Sequence, residues 1–414
     1  MKKQKRILAV FLVLMMVFGL TACGKKQEEP SIPAGDQQKP QDDQKGQGDG
    51  GPIYVGLYTS LTGNSAGGGE CLEQGIRLAM DKVNEEGGIQ GRQLELIVYD
   101  DGGTTEGAVK AVTRLLEVDK VDYVIGSFLS PNVLATHSLT EEAKVLQIGS
   151  GTGATWTNIG CEYLYRATVN GNYIIPTFVS EMSKMGETST ALLSVESEYG
   201  QSGHDTTISE LENAGIEVVA DVTYQPTDTD FTGHIAKIMA AKPGSITVYG
   251  NGNELALILK QLRQHGYDGY VYTSEGGANA EVLSVAGDAA NGLIFAAAYV
   301  VPETPEDGTT ELIREVLNKF YEKYSAMPYS DVIFRGYDQM MLLSEALKKV
   351  DDITDREAVK EAFKSLSGIS LCAGSFDFTD GSGDGLKSCN EFMIYEGKVQ
   401  SFDVDTMKAW RTGN

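Results

Sequence analysis

The sequence predicts an α/β fold with two lobes. From residue 53 onward, short apolar segments rich in β-branched and aromatic residues alternate with amphipathic helical segments. Such alternation predicts parallel sheets that are covered by helices on both faces. About 360 residues follow the polar N-terminal stretch, which is more than one such unit usually contains, so we expect two lobes.

Composition excludes several classes of function. The 414 residues include 58 acidic and 34 basic ones, giving a formal net charge of −24, and this charge repels nucleic-acid phosphates. We therefore expect no nucleic-acid partner. Only four histidines occur, without an HExxH or CxxC motif, so we expect no metal site and no cofactor.

The N-terminus is typical of an export signal. Four basic residues within the first six precede a 14-residue uncharged apolar run over 7–20, which is too short for a comfortable membrane span. The run ends in Leu-Thr-Ala-Cys, which resembles the lipobox of bacterial lipoproteins, in which the cysteine is lipidated. We expect a signal peptide over 1–22 and a lipid on Cys23; an ordinary secretory signal with an accidental cysteine is the alternative.

Residues 23–51 are expected to form a flexible tether. Residues 24–51 contain one isoleucine and no aromatic residue, so they cannot bury enough apolar surface to fold. A tethered, lipid-anchored domain on the outer face of a cell membrane suggests a Gram-positive source.

The folded part begins with the first apolar segment. The expected strands are 53–58, 94–99, 123–126, 191–195, 218–224, 246–250, 270–273 and 293–300. The clearest helical segments between them are 72–83, 108–118, 205–214 and 255–265.

The residues that follow these strands predict the kind of ligand, because ligands of open parallel sheets bind outside the carboxyl ends of the strands. The segments concerned are 59–69, 127–130, 149–153, 197–199, 250–253 and 274–277. They are rich in Ser, Thr, Gly, Tyr and Asn and include one Glu. These groups suit a small polar zwitterion.

One segment resembles a family signature. The run Asn84–Arg92 (NEEGGIQGR), with the Leu-x-Leu at 94–96 and Tyr-Asp-Asp at 99–101, resembles type I periplasmic solute-binding proteins of branched-chain amino acid ABC importers. Further matching positions are 123–126, Ser130, 198–200 and 275–276. The resemblance extends from about residue 53 to about residue 402.

The resemblance implies two doubly wound parallel-sheet lobes, joined by hinge crossovers, that close on a ligand. By this likeness the first lobe comprises 52–169 and 301–371. The second lobe comprises 170–300 and 372–406.

The resemblance also implies the residues that hold the ligand carboxylate. Ser130 matches a serine that donates its hydroxyl to the carboxylate; a helix cap is the alternative, and both roles are compatible. Ser150 and Thr152 match positions that bind the ligand backbone. A simple glycine-rich turn over 149–153 is the alternative, and a dinucleotide-binding loop is disfavoured by its spacing and place in the chain.

The ammonium side of the site follows from the same likeness. Glu275 matches an acidic residue that receives the ammonium, with an exposed loop glutamate as the alternative. Tyr199 matches a tyrosine that contacts the ligand from the second lobe, with interface packing as the alternative.

Two positions depart from the aliphatic-selective pattern. Gly67–Gly69 stand where an aromatic residue encloses the ligand side chain, and Asn251 replaces a second aromatic residue, with neighbouring Tyr249 as the candidate to compensate. We expect a roomier, more polar pocket and a ligand that is not restricted to Leu, Ile or Val. Trp156 either stacks on a larger ligand side chain or packs in the core.

Near the C-terminus, residues 380–391 fit the acidic spacing of a calcium-binding EF-hand loop. The strand-like flanks 374–378 and 390–395 favour a glycine-rich hairpin instead. Cys372 and Cys389 are equidistant from the tip of this hairpin, so we expect a disulfide between them.

No catalytic motif is present. Asp100 and Asp101 have no accompanying nucleophile or histidine, so they are interpreted as an end-of-strand cap. We expect a monomeric extracytoplasmic lipoprotein that captures an amino acid and delivers it to the permease and ATPase of an ABC importer. The alternatives are a ligand-sensing receptor of the same fold, a binder of an amide, urea or aromatic acid, and an enzyme on a related scaffold.

Overall fold

A computed structural model describes residues 50–157 and 159–412. The expected signal peptide, lipidated Cys23 and nearly all of the tether lie outside the described residues. Within the described part of the chain, none of the helices is both long and apolar enough to span a bilayer.

Strands and helices alternate along the chain. The strands are β1 (Ile53–Thr59), β2 (Leu94–Asp100), β3 (Tyr123–Ile125), β4 (Gln147–Gly149), β5 (Leu164–Val169), β6 (Ser189–Val195), β7 (Glu217–Tyr224), β8 (Ser245–Tyr249), β9 (Val271–Thr273), β10 (Leu293–Ala297), β11 (Ser367–Leu371), β12 (Gly374–Asp377), β13 (Asp384–Leu386), β14 (Asn390–Tyr395) and β15 (Lys398–Ser401). The α-helices are α1 (Ala66–Glu85), α2 (Thr105–Arg114), α3 (Ser130–Ala143), α4 (Gly171–Met185), α5 (Glu198–Ala214), α6 (Thr232–Ala240), α7 (Gly252–Gln264), α8 (Ala280–Ala286), α9 (Glu311–Tyr324), α10 (Val332–Leu347), α11 (Arg356–Lys364) and α12 (Val404–Thr412).

The strands form two main sheets. A six-stranded parallel sheet has the order β13-β5-β4-β3-β1-β2. A seven-stranded sheet has the order β15-β14-β10-β9-β8-β6-β7, in which β14 runs antiparallel to both of its neighbours and the other strands pair in parallel. The predicted α/β fold with two doubly wound parallel sheets is confirmed.

The chain returns to the second sheet later than we expected. Residues 384–386 form β13, which pairs in parallel with β5 of the first sheet. The final crossing to the second sheet therefore follows Leu386. Our assignment of 384–386 to the second lobe is wrong, because the pairing partner of this short strand is distant in sequence.

All eight expected strand segments overlap a strand, and the four expected helical segments fall largely within α1, α2, α5 and α7. Among the later strands, β11, β13 and β15 were not predicted; among the earlier ones, the prediction missed β4 and β5. The first has only three residues, and the second contains Arg166, whose charge obscures the apolar pattern even though its side chain is fully buried.

Two glycines let α1 and α10 pack closely in the first lobe. A Cβ on Gly75 would lie 2.0 Å from the carbonyl oxygen of Ile333, and a Cβ on Gly336 would lie 2.3 Å from that of Leu72. Backbone therefore contacts backbone at this crossing. The close packing fixes the start of α10 beside the loop that follows β1.

The expected disulfide is absent, since Cys372 and Cys389 are both free, as are Cys71 and Cys161. The flanks of the supposed hairpin do not pair with each other: β12 pairs with β11, whereas β14 pairs with β10 and β15. The backbone N–H of Cys372 donates to Asp338 in the first lobe, and the thiol of Cys389 lies 3.4 Å from the Thr177 hydroxyl on α4. The hairpin prediction is wrong, and the loop over 380–391 contains β13 and no flanking helices.

Candidate functional site

A cleft of about 540 Å³ lies where the carboxyl ends of strands from both sheets face each other. Loops after β1, β2, β3 and β4 form the first wall, together with residues 329–335 at the start of α10. Loops after β6, β7, β8 and β9 and the start of α8 form the second wall. This position is where open parallel sheets bind their ligands.

The structure brings five of the six predicted ligand residues to this cleft. These are Ser130, Thr152, Tyr199, Asn251 and Glu275. Ser150 is not among the lining residues: its side chain is fully buried, and its hydroxyl has no hydrogen-bond partner among the described residues. The role that we expected for the Ser150 hydroxyl therefore lacks structural support.

Ser130 is the first residue of α3, and it is not the helix cap. The cap position is Leu129, which makes no side-chain capping bond. The Ser130 hydroxyl oxygen accepts a hydrogen bond of 2.9 Å from the N–H of Gly153, linking the loops after β3 and β4. This contact leaves the O–H proton of Ser130 available to donate to a ligand oxygen.

Thr152 and Glu275 meet across the cleft. The Thr152 hydroxyl on the first wall donates to Oε1 of Glu275 on the second wall. Glu275 is 8% exposed, and its Oε2 has no hydrogen-bond partner among the described residues. A buried carboxylate oxygen without a donor is costly, so this side chain is suited to accept a bond from a cationic ligand group.

Tyr199 lies in the first turn of α5, where it packs against neighbouring side chains and also lines the cleft; its contact with a ligand stays a prediction. Its hydroxyl is 2.7 Å from the Ser274 hydroxyl, and its ring packs against Tyr249 with a centroid distance of 4.6 Å. Burial raises the pKa of Tyr199, which keeps the phenol neutral. Tyr249 lies behind this ring and does not line the cleft, so it does not compensate for Asn251.

Two aromatic rings reach the first wall, Phe128 from a segment that we expected to line the site and Tyr329 from a segment that we did not. A Cβ on Gly67 would lie 2.4 Å from Cε1 of Tyr329, and a Cβ on Gly68 would lie 2.9 Å from Cζ of Phe128. The glycines therefore make room for rings contributed by other segments. Both rings line the cleft, so the glycines do not leave this wall without aromatic side chains; the more polar pocket and the broader ligand range stay predictions.

Trp156 packs in the core, and the alternative of stacking on a ligand is wrong. Its side chain is fully buried, its indole N–H donates to the carbonyl of Gly151, and the Arg166 guanidinium lies 3.9 Å from its ring centroid. Arg166 also donates to the Gly151 carbonyl and pairs with Asp384 at 2.7 Å. This buried cluster supports the glycine-rich loop from behind.

Asp331 lies just before α10, and Arg335 lies in its first turn. Neither residue was predicted, because neither follows a strand. Nε and Nη2 of Arg335 lie 2.9 and 2.7 Å from Oδ2 of Asp331, and Nη1 donates to the Ser150 carbonyl. Burial lowers the pKa of Arg335, but the charges of Asp331 and Glu275 outweigh that effect and raise it. Asp331 thus balances the charge of Arg335.

Glu254 and Glu281 add two carboxylates to the second wall. Burial raises the pKa of Glu254, and burial together with the charge of Glu254 raises the pKa of Glu281 to about 7. Glu254 is one residue beyond a segment that we expected to line the site, whereas Glu281 lies on a helix and carried no strand-end signal.

Asp100 and Asp101 hold the loop after β1 in place. Asp100 accepts from the N–H of Leu61 and, at 2.6 Å, from the hydroxyl of Thr62. Burial raises the pKa of Asp100, but its hydrogen bonds together lower it. Asp101 accepts from Ser60 at 2.8 Å. These contacts agree with a structural cap at the strand ends.

A family model described as "Periplasmic binding protein" matches residues 52–393. The chain belongs to this family. A relative, the leucine-, isoleucine-, valine-, threonine- and alanine-binding protein of Pseudomonas aeruginosa, is 26% identical over 348 residues, covering 83% of this chain and 89% of the relative. The match to the periplasmic binding protein family spans the six-stranded sheet, most of the seven-stranded sheet and every loop that lines the cleft.

Solved structures share the fold of this periplasmic binding protein. A leucine-binding protein, LivK, from Thermotoga maritima has a TM-score of 0.77 at 24% identity, covering 85% of this chain and 98% of its own. A solute-binding protein of an ABC transporter from R. palustris, in complex with benzoate, has a TM-score of 0.77 at 20% identity, covering 85% and 95% of the two chains. The same architecture thus accompanies ligands of different chemistry.

Proposed function

We propose that this chain is an extracytoplasmic substrate-binding lipoprotein that captures an amino acid between its two lobes and delivers it to an ABC importer. The observation that carries the proposal is the half-satisfied carboxylate of Glu275, which is buried in the cleft and, among the described residues, is bonded only to Thr152 from the opposite wall. An ammonium group would supply the missing donors. The amino-acid ligand of the Pseudomonas relative supports this assignment.

Ser130 is proposed to hold the other end of the zwitterion. Its hydroxyl lies at the start of α3, where the positive end of a helix favours an anion. With the carboxylate on the first wall and the ammonium on the second, one ligand bridges both lobes. Binding then stabilises the arrangement in which the two lobes are closed on the ligand, and no covalent bond is made or broken.

The remaining parts of the proposal concern the anchor and the partners. A lipid on Cys23 retains the monomeric domain on the outer face of the membrane, where it meets the permease and ATPase of the importer. The intact mass of the chain purified from membranes tests this anchor. A mature chain that begins at Cys23 and carries a lipid is expected, and a chain without a lipid would contradict it.

The ligand is tested by thermal unfolding of the full-length chain in mild detergent with each amino acid, urea, short amides and benzoate. A ligand at about a thousand times its dissociation constant stabilises a protein by roughly 4 kcal/mol, which is readily measured as a rise in melting temperature. A shift with one group of amino acids is expected. A shift with an amide or urea alone would contradict the proposal.

An aromatic acid is the second candidate ligand, because the guanidinium of Arg335 lines the cleft and a structural neighbour binds benzoate. Asp331 already pairs with this guanidinium, which weakens its attraction for an anion. Stabilisation by benzoate but by no amino acid would favour this candidate. A sensing role is separated from import by measuring uptake of the identified ligand in cells that lack the permease.

A further inference from the structure

Carboxylates outnumber basic groups among the described side chains that line the cleft. Four acidic residues face one basic residue, and they are Glu254, Glu275, Glu281 and Asp331 against Arg335. Arg335 and Asp331 form a bonded pair. Glu275 is matched by the ligand ammonium in the proposed function. Glu254 and Glu281 are therefore left without a counter-charge.

These two residues occupy one end of the second wall. Glu254 and Glu275 follow the adjacent parallel strands β8 and β9, whose loops touch, since a Cβ on Gly276 would lie 2.6 Å from the Gly250 carbonyl oxygen. The starts of α7 and α8 also touch, because a Cβ on Gly252 would lie 2.7 Å from the Asn279 side chain. Glu254 and Glu281 lie in the first turns of these two helices.

Glu254 is incompletely satisfied. It is 7% exposed, its Oε1 lies 3.4 Å from the amide nitrogen of Asn251, and its Oε2 is buried with no hydrogen-bond partner in the described part of the chain. Positive helix ends favour carboxylates at such positions, but they do not provide a donor to this oxygen. A buried carboxylate oxygen beside a second carboxylate favours a cation.

The first wall supplies uncharged contacts at this end, and its two charged side chains near them, Asp331 and Arg335, pair with each other. Nδ2 of Asn253 donates to the carbonyl of Asn64 at 2.5 Å, and the Ser330 hydroxyl donates to Oδ1 of Asn279 at 2.6 Å. Both contacts bridge the two walls between uncharged groups. Among the described side chains that line the cleft, the unpaired charges that match a cationic ligand group enclosed here lie on the second wall.

We propose that the amino-acid ligand carries a second cationic group, which Glu254 and Glu281 bind at the side-chain end of the cleft. The ligand class is then the basic amino acids, with an ammonium or guanidinium at the end of the side chain. The inference rests on the proposed function, since Glu275 must hold the α-ammonium. The rings of Phe128 and Tyr329 offer apolar surface for the methylene groups of such a side chain.

Calorimetric titration of the full-length, exhaustively dialysed chain tests this with two matched ligand pairs. Lysine is compared with norleucine, which lacks only the terminal ammonium, and arginine is compared with citrulline, its uncharged isostere. At least one basic ligand should bind about 30-fold more tightly than its neutral partner, because a buried paired charge is replaced by a neutral group. Glu254→Gln and Glu281→Gln should each reduce this ratio, and exposed Glu322→Gln on α9 is the control that should leave it unchanged.

The outcomes separate the inference from the function on which it rests. Norleucine or leucine binding as tightly as lysine, with citrulline equal to arginine, would overturn the inference and leave amino-acid capture intact. A preference for basic ligands that survives in both glutamine variants would also overturn it. No binding of any of these amino acids would overturn the inference, and the proposed function would be overturned as well if the remaining amino acids also failed to bind. Binding of norleucine or citrulline by the variants shows that they are folded.

Discussion

The first wall of the cleft presents hydroxyl groups and a helix N-terminus, whereas the second wall presents carboxylates. Ser130 and Thr152 come from the six-stranded sheet, and Glu254, Glu275 and Glu281 come from loops and helix starts of the seven-stranded sheet. The one basic side chain on the described first wall, Arg335, is paired with Asp331 beside it.

This difference predicts the orientation of a ligand. A carboxylate is favoured at the first wall, which offers a hydroxyl donor and the positive end of α3. Cationic groups are favoured at the second wall, which has buried carboxylate oxygens without donors. A zwitterion that spans the cleft satisfies both walls at once, so each wall can be weakened separately.

The largest effect is expected from breaking the support behind the first wall. Arg166→Met leaves Asp384 buried without its ion-pair partner and removes one of the two donors to the Gly151 carbonyl. We expect the free energy of unfolding to fall by about 3–5 kcal/mol, measured by urea denaturation.

A double variant serves as the control for this pair. Arg166→Met combined with Asp384→Leu removes both charges, and it should recover a substantial part of the lost stability. A loss below about 1 kcal/mol in the single variant would mean that the pair does not support the loop.

Glu275→Gln tests the second wall, because it keeps the shape of the side chain but removes the negative charge. The bound ammonium is then buried and poorly paired, so amino-acid binding should weaken by about 2–5 kcal/mol in calorimetric titration. Glu322→Gln is the matched control on an exposed helix face. A loss well under 1 kcal/mol would show that Glu275 is not the ammonium partner.

The carboxylates of the second wall also predict that the stability of the ligand-free chain depends on pH. Burial and the charge of Glu254 raise the pKa of Glu281 from 4.5 to about 7. The folded state therefore retains this proton where the unfolded state has lost it, and stability falls as the pH rises from about 4.5 to about 7. The free energy of unfolding, measured with urea, should fall between pH 5 and pH 8 by about 1–2 kcal/mol less in Glu281→Gln than in the unaltered chain. An unchanged decrease would contradict the shift.

The smallest effect is expected at the hydroxyl of the first wall. Ser130→Ala removes the acceptor for the N–H of Gly153 and the proposed donor to the ligand carboxylate. Binding should weaken by about 1 kcal/mol, the usual net value of such a hydrogen bond. Ser284→Ala, on an exposed turn of α8, is a comparable deletion outside the cleft. Equal ligand affinities of the Ser130→Ala and Ser284→Ala variants would show that the Ser130 hydroxyl does not bind the ligand.

Strand ends made much of the cleft predictable. Ser130, Asn251 and Glu275 follow expected strands, and parallel strands end at a common edge of their sheet. Their convergence thus follows from the order of elements along the chain. Thr152 follows β4, which was not predicted, and was named through the family resemblance instead. Which side chains in such a loop face the ligand is decided by local backbone geometry, which is why Thr152 lines the cleft and Ser150 two residues earlier does not.

The remaining features depend on long-range packing. Arg335 and Tyr329 reach the cleft because α10 lies against α1 through Gly75 and Gly336, and no local pattern indicates that crossing. The disulfide prediction failed for a similar reason. Symmetric spacing around a turn suggested pairing forward in the sequence, but β12 pairs backward with β11.

The most direct test is to remove the α-ammonium from the ligand and measure binding to the unaltered chain. Leucine is compared with 4-methylpentanoate and lysine with 6-aminohexanoate by calorimetric titration. In the pair whose amino acid binds more tightly, loss of the α-ammonium should weaken binding by at least about 30-fold, because Glu275 loses its partner. Equal affinity of the deaminated compound would contradict capture of an amino acid by this cleft.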